Sequence, residues 1–149
     1  MKINECMCKD VCFVKPECNI YDAARIMNEN HIGCIPICND EKKVVGVLTD
    51  RDIVLRSVAC DKNAKTTPVS SIMTTNVYTC KCEEDIGQAQ YLMEKNQIRR
   101  IPIVDRTNKM VGIISTGDLA HYNQKIGEEN FTTTMGYICN NKGNVKNCG

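Results

Sequence analysis

Residues 7–54 recur as residues 73–120 at a constant offset of 66 and without a gap. This internal duplication restricts the fold more than any other feature of the chain. Ile35-Pro36-Ile37 returns as Ile101-Pro102-Ile103, and Val45-Gly46-Val47-Leu48-Thr49 returns as Val111-Gly112-Ile113-Ile114-Ser115. Asp52 matches Asp118, Met27 matches Met93 and Asn30 matches Asn96. Two copies are too few for a solenoid, which needs at least three units. A half of about 60 residues buries only about 60% of its unfolded surface and is marginal alone. The two halves are therefore expected to pack on each other about a pseudo-twofold axis, which duplicates the cleft between them and points to ligand binding.

Each copy reads as strand, helix, strand, strand, helix. A short β-rich run at residues 11–14 matches residues 77–80. Asn19 and Asp85 then stand as N-caps, with Asp22 and Gln88 three residues on, the spacing of a capping box. Ile20, Ala23, Ala24 and Met27 follow helical spacing, as do Ile86, Ala89, Leu92 and Met93, and Asn30 and Asn96 are stop signals. The Ile-Pro-Ile strands carry an internal proline, which predicts an edge position or a bulge. Polar turns at residues 39–42 and 105–108 lead into residues 44–48 and 110–114. These are continuous apolar runs, which predict burial on both faces. Their Gly46 and Gly112 predict close backbone approach. Thr49 and Ser115 cap a second helix, with Asp52 and Asp118 three residues on and Ile53, Val54, Val58 and Leu119 on its apolar face.

Composition narrows the function. A formal charge of +1 and the absence of tryptophan argue against nucleic-acid binding, which needs a basic excess or stacking aromatics. No apolar run approaches the roughly 20 residues of a membrane span. The first ten residues hold no apolar core of a signal peptide, so a cytoplasmic protein is expected. The 11 cysteines are odd in number and several occupy apolar repeat positions, as Cys38 does opposite Val104, so they read mainly as reduced, buried thiols. Cys6, Cys8 and Cys12, and Cys80 and Cys82, lack the paired spacing of zinc ribbons. Cys34 and Cys38 on one strand stand about 13 Å apart. A cysteine-based redox or metal sensor is the alternative reading, with Cys6, Cys8 or Cys12 as the oxidisable thiols.

The apolar-Pro-apolar strand, followed by Gly-apolar-apolar-Thr/Ser-x-x-Asp, resembles the cystathionine-β-synthase (CBS) domain. Thr49-Asp50-Arg51-Asp52 and Ser115-Thr116-Gly117-Asp118 are its most specific elements. Two in tandem resemble a Bateman module, and the chain is similar to small stand-alone CBS-pair proteins of the hypoxic-response type. The resemblance implies an α/β (α+β) fold with CBS domains at residues 3–62 and 69–125, followed by a polar tail at 126–149. That tail is expected to be partly disordered, apart from a short docking segment at Tyr137, Ile138 and Cys139. It also implies a non-catalytic regulatory module that binds AMP, ADP, ATP or S-adenosylmethionine in the inter-repeat cleft and requires no cofactor. No nucleophile–base pair or phosphate loop suggests an enzyme.

Chemistry gives the candidate residues roles. A strand running into a helix start offers backbone N–H groups to a phosphate, and Thr49 or Ser115 adds a hydroxyl. Asp52 or Asp118 can accept from two ribose hydroxyls. The purine slot is expected around Ile35-Pro36 and Ile101-Pro102, with Val11 and Val77 as walls. Arg51 and Arg100, with Arg99 beside it, can pair with a phosphate. Equally, Thr-x-x-Asp is a capping box that holds a helix on its own, and each arginine can sit in solvent or pair with Asp50, Glu94 or Asp105. Unequal charge between the copies predicts unequal affinities. Exposed helix faces predict a homodimer. Output is expected as a population shift read by a separate effector protein.

Overall fold

A computed structural model describes residues 1–122 and 135–136 of the 149-residue chain. Among them the chain forms α1 (Ile20–Asn30), β1 (Cys34–Cys38), β2 (Val44–Thr49), α2 (Asp50–Arg56), β3 (Cys80–Lys81), α3 (Ile86–Asn96), β4 (Arg100–Val104), β5 (Met110–Ser115) and α4 (Thr116–Tyr122). Antiparallel β1–β2 forms one sheet and β3–β4–β5 the other, with β3 parallel to β4. This is the mixed α/β fold expected. The tail segment Tyr137-Ile138-Cys139 lies outside the described residues, whereas Met135 packs on the core of the second repeat.

The hairpins match at the predicted positions. Asn39 Oδ1 accepts from the amides of Glu41 and Lys43, and Asp105 Oδ1 from those of Thr107 and Lys109. Each side chain thus closes its own turn. The prolines act in a way the edge-or-bulge expectation covers only in part. A bulge does follow at Ile37/Cys38 and Ile103/Val104, but β4 is the central strand of its sheet. In an extended chain one residue's N–H and C=O project to the same side. Pro36 O accepts from Val14 N at 3.2 Å, so the proline nitrogen faces the parallel partner and cannot donate there. The parallel ladder therefore stops early in both copies. The predicted opening strand reduces to one bridge, Val14 to Ile37, in the first and to two residues in the second.

Other expectations need correction. β2 and β5 are not buried on both faces; burial alternates along them, and the core takes only every second side chain. α1 is capped by Asn19 as predicted, through Asp22 N. Asp85, however, caps α3 through Gly87 N rather than closing a box with Gln88. Val54 is 55% exposed, and Val58, 71% exposed, lies in a short 3-10 turn beyond the end of α2, so neither forms its core face, whereas Leu119 is buried.

The compact units do not follow the chain. One comprises residues 12–77, and the other gathers residues 1–11 with residues 78–122. The leading segment of each repeat is exchanged. Ile3 and Cys6 sit in one core with Ile86, Met93, Ile101 and Ile114, and Cys8 bridges Ile113. At the equivalent offset, Val69 and Ile72 sit in the other core with Ile20, Met27, Ile35 and Leu48, and Thr74 bridges Val47. Gly46 and Gly112 provide the close approach expected of them. A Cβ at Gly46 would strike Met73, and one at Gly112 would strike Met7 and the Cys8 carbonyl.

Candidate functional site

Each hairpin ends in a cap residue that also belongs to a sheet face. Ile35, Ile37 and Leu48 point into one core, and Ile101, Ile103 and Ile114 into the other. Because side chains alternate along a strand, Cys34, Pro36, Val47 and Thr49 share the opposite face in the first repeat. Arg100, Pro102, Ile113 and Ser115 share it in the second. The register sets Cys34 across from Thr49 and Arg100 across from Ser115. The proposed slot residues thus divide. Pro36 and Pro102 share a face with the caps, whereas Ile35 and Ile101 are fully buried in the cores and leave only backbone to a ligand. Val11 and Val77 are half-buried and fall on the exchanged side of the unit boundaries. Val11 belongs with Ser115 and Asp118, and Val77 with Thr49 and Asp52.

The hydroxyl–carboxylate boxes are closed. Asp52 N donates to Thr49 Oγ1 at 3.1 Å, and Thr49 N donates to Asp52 Oδ2 at 2.9 Å. In the second repeat, Asp118 N donates to Ser115 Oγ at 3.2 Å. Asp118 Oδ2 accepts from Ser115 N and from its hydroxyl, both at 2.7 Å. Each box uses one carboxylate oxygen. Asp52 Oδ1 lies 3.8 Å from Arg56 Nη1. Arg56 also donates to the carbonyl of Ile72 at 3.0 Å, tying α2 to the exchanged segment.

The expectation of free helix-start amides fails in the first repeat. Asp50 N donates to Gly33 O, Arg51 N to Asp50 Oδ1 and Asp52 N to Thr49 Oγ1. In the second, Thr116 N donates to Arg99 O. Arg51, Arg99 and Arg100 are exposed. Among the described residues, none of them forms an ion pair with Asp50, Glu94 or Asp105. The open groove of the first repeat, about 550 Å³, lies on the helix side, between Met27, His31 and Ile32 of the α1 end and Asp50, Ile53 and Val54 of α2. Neither Pro36 nor Thr49 lines it.

Burial governs the cysteines. It pushes the Cys38 thiol up to about 11 and that of Cys80 up to about 12, from an ordinary 9.0. It also raises Cys6, one of the candidate redox thiols, while Cys8 is exposed and Cys12 half-buried. No group of three or more metal-binding side chains occurs among the described residues. Folding here favours the neutral thiol. The stability this contributes is present below about pH 9 and is lost as pH rises towards 11–12. At about pH 8, brief iodoacetamide treatment is expected to modify Cys8 and Cys60 and to spare Cys38 and Cys80 until denaturant is added. Peptide mass spectrometry reads this directly, and modification of Cys80 in the native protein would refute the burial.

A family model described as CBS domain matches residues 3–58 and 69–125. CBS domain-containing protein YhcV of Bacillus subtilis is 39% identical over 118 residues, covering 79% of this chain and 82% of that protein. Among solved structures, Hypoxic Response Protein I, described with two coordinated zinc ions, superposes with a TM-score of 0.76 at 30% identity. That match covers 82% of this chain and 98% of that one. The CBS domain pair of protein MJ0100, in complex with 5′-methylthioadenosine and S-adenosyl-L-methionine, gives 0.75 at 26% identity, covering 85% and 98%.

Proposed function

The chain belongs to the CBS-domain family, and from that premise we infer that it is a non-catalytic regulatory module that binds an adenosyl ligand at its strand–helix rims. The observation that carries this reading is the duplicated box. Thr49 with Asp52, and Ser115 with Asp118, stand at equivalent places, and each box uses only Oδ2 of its carboxylate, while Asp52 Oδ1 lies 3.8 Å from Arg56 Nη1. A second carboxylate oxygen can accept from ribose hydroxyls. Hydroxyl caps and the exposed Arg51 and Arg100 can meet a phosphate, and the backbone beside Pro36 and Pro102 can flank the purine. The adenosyl ligands of the MJ0100 pair support the ligand class. Exposed Val54, Leu55 and Val58 support pairing with a second copy. In this reading the protein works in the cytoplasm, and the bound state is recognised by a separate effector protein through a shift in population.

Asparagine at position 52 or 118 tests the reading cleanly. Its Oδ1 still accepts from the amide of residue 49 or 115, so the cap survives and stability should change by less than about 1 kcal/mol. The charge that strengthens a bond to ribose is lost. With a charged hydrogen bond contributing about 1.5–3 kcal/mol, the affinity of the affected rim should fall by tenfold or more. Isothermal titration with AMP, 5′-methylthioadenosine and S-adenosylmethionine measures this. Unchanged affinity for every ligand in the Asp52→Asn/Asp118→Asn double variant would overturn the reading.

A further inference from the structure

We propose that the chain pairs with a second copy of itself through one ridge of its first repeat, residues 50–62, laid antiparallel on the same ridge of the other copy. The matching helix face of the second repeat takes no part. This rests on the pairing stated above and not on the ligand, and it adds which face meets which, and in what register.

The ridge is apolar in its middle and charged at both ends. Val54 lies in α2 and Val58 in the 3-10 turn that follows, four residues on, with Leu55 exposed beside them. Residues three and four apart are neighbours on a helix surface. Arg51 stands three residues before Val54, and Asp61 three after Val58, with Asp50 and Lys62 next to them. All four charged residues are exposed, and among the described residues none of them forms an ion pair. The open groove alongside adds Met27, Ile32 and Ile53 to the apolar surface. An exposed apolar cluster rimmed by polar groups marks an interaction site.

The charge order selects a second copy as the occupant. A closed pair needs a surface that matches itself across a twofold axis. With Val54 laid against Val58 of the other copy, the antiparallel ridge sets Arg51 against Asp61 and Asp50 against Lys62, each of the other copy. Both charge pairs are opposite in sign, and each occurs twice. Laid parallel, the same ridges bring like charges together. Exposed ion pairs contribute little energy, so these fix register and orientation while the valines and Leu55 supply the burial. The duplication provides an internal control. In the second repeat the places of Val54 and Leu55 are held by Ala120 and His121, which are likewise exposed, and that of Val58 by Gln124. Thr116 and Gly117 replace Asp50 and Arg51, and Gly127 and Glu128 replace Asp61 and Lys62. The same repeat fold is thus built without the ridge, so the fold itself does not require it.

Sedimentation velocity of the full chain over a concentration series tests this, and the wild-type chain is expected to be a dimer. Val54→Glu and Val58→Glu, both at exposed positions, should raise the dimer dissociation constant about tenfold or more. Ala120→Glu and His121→Glu should leave it within about twofold. Arg51→Asp alone and Asp61→Arg alone should each weaken pairing about three- to tenfold. The two changes in one chain should restore it, a rescue that damage to the fold would not give. A dimer indifferent to Val54→Glu and Val58→Glu, equal weakening by Ala120→Glu, or no rescue by the double charge exchange would overturn the assignment and leave the pairing itself standing. A wild-type chain that stays monomeric throughout would overturn both, and would leave the ridge to a different protein.

Discussion

Deleting residues 1–8 is expected to unfold the unit built on the second repeat while the first repeat's sheet stays protected. The deleted residues lead into the first repeat along the chain, yet their contacts lie elsewhere. Ile3 is fully buried and Cys6 is 6% exposed, in a core with Ile86, Ala89, Met93, Ile101 and Leu119. Ile3 N donates to Glu84 O and Asn4 N to Cys82 O, both at 3.0 Å. Cys8 and Ile113 exchange two backbone bonds at 2.9 Å. Removing an isoleucine from a core costs about 2–5 kcal/mol, and each lost backbone bond about 1 kcal/mol more. The total reaches the lower end of the roughly 5–15 kcal/mol that holds a whole domain. In hydrogen exchange, β4 and β5 should lose protection, and β1 and β2 should retain it. Ile3→Ala should show the same pattern at about 2–5 kcal/mol. Loss of protection in β1 and β2 instead would mean that the segment supports its own repeat.

The exchange of leading segments also shows where the sequence stops being informative. Hairpins and caps were legible because each rests on residues close in the chain, whereas the glycines showed only that something approaches and not that it is Met73 or Met7. Asn39 and Asp105 close their own turns, and Thr49 and Asp52 stand three residues apart. The duplication makes residues 3–8 and 69–74 equivalent, but equivalence cannot say which core each enters, since Ile3 and Val69 fit either chemically. The burial of β2 and β5 was misread because an apolar run suits a half-covered strand as well as a covered one. At the rims, the Thr/Ser–Asp boxes were readable from spacing. The turning of Ile35 and Ile101 into the cores, and the placing of Arg100 opposite Ser115, needed the strand register. The closure of the α2 amides needed Gly33 O, 17 residues from Asp50 and brought there only by the hairpin.

That same register makes the two glycines unequal, although the sequence presents them as copies. Alanine at Gly112 would set its Cβ 2.8 Å from the Cys8 carbonyl oxygen and 2.6 Å from Met7 Sδ. The carbonyl is fixed by the reciprocal bonds with Ile113 and cannot swing away, so the leading segment must shift as a body. The three atoms nearest to a Cβ at Gly46 all belong to Met73, with Sδ and Cγ the closest, and a flexible thioether can rotate aside. Overpacking typically costs about 1–3 kcal/mol. Gly112→Ala is expected at or above about 3 kcal/mol and Gly46→Ala near about 1 kcal/mol, measured by urea unfolding. Double-mutant cycles separate the causes. Met73→Ala should remove most of the penalty of Gly46→Ala, whereas Met7→Ala should leave most of that of Gly112→Ala, because the backbone clash remains. Equal penalties, or full rescue by Met7→Ala, would show that Cys8 does not lie against β5.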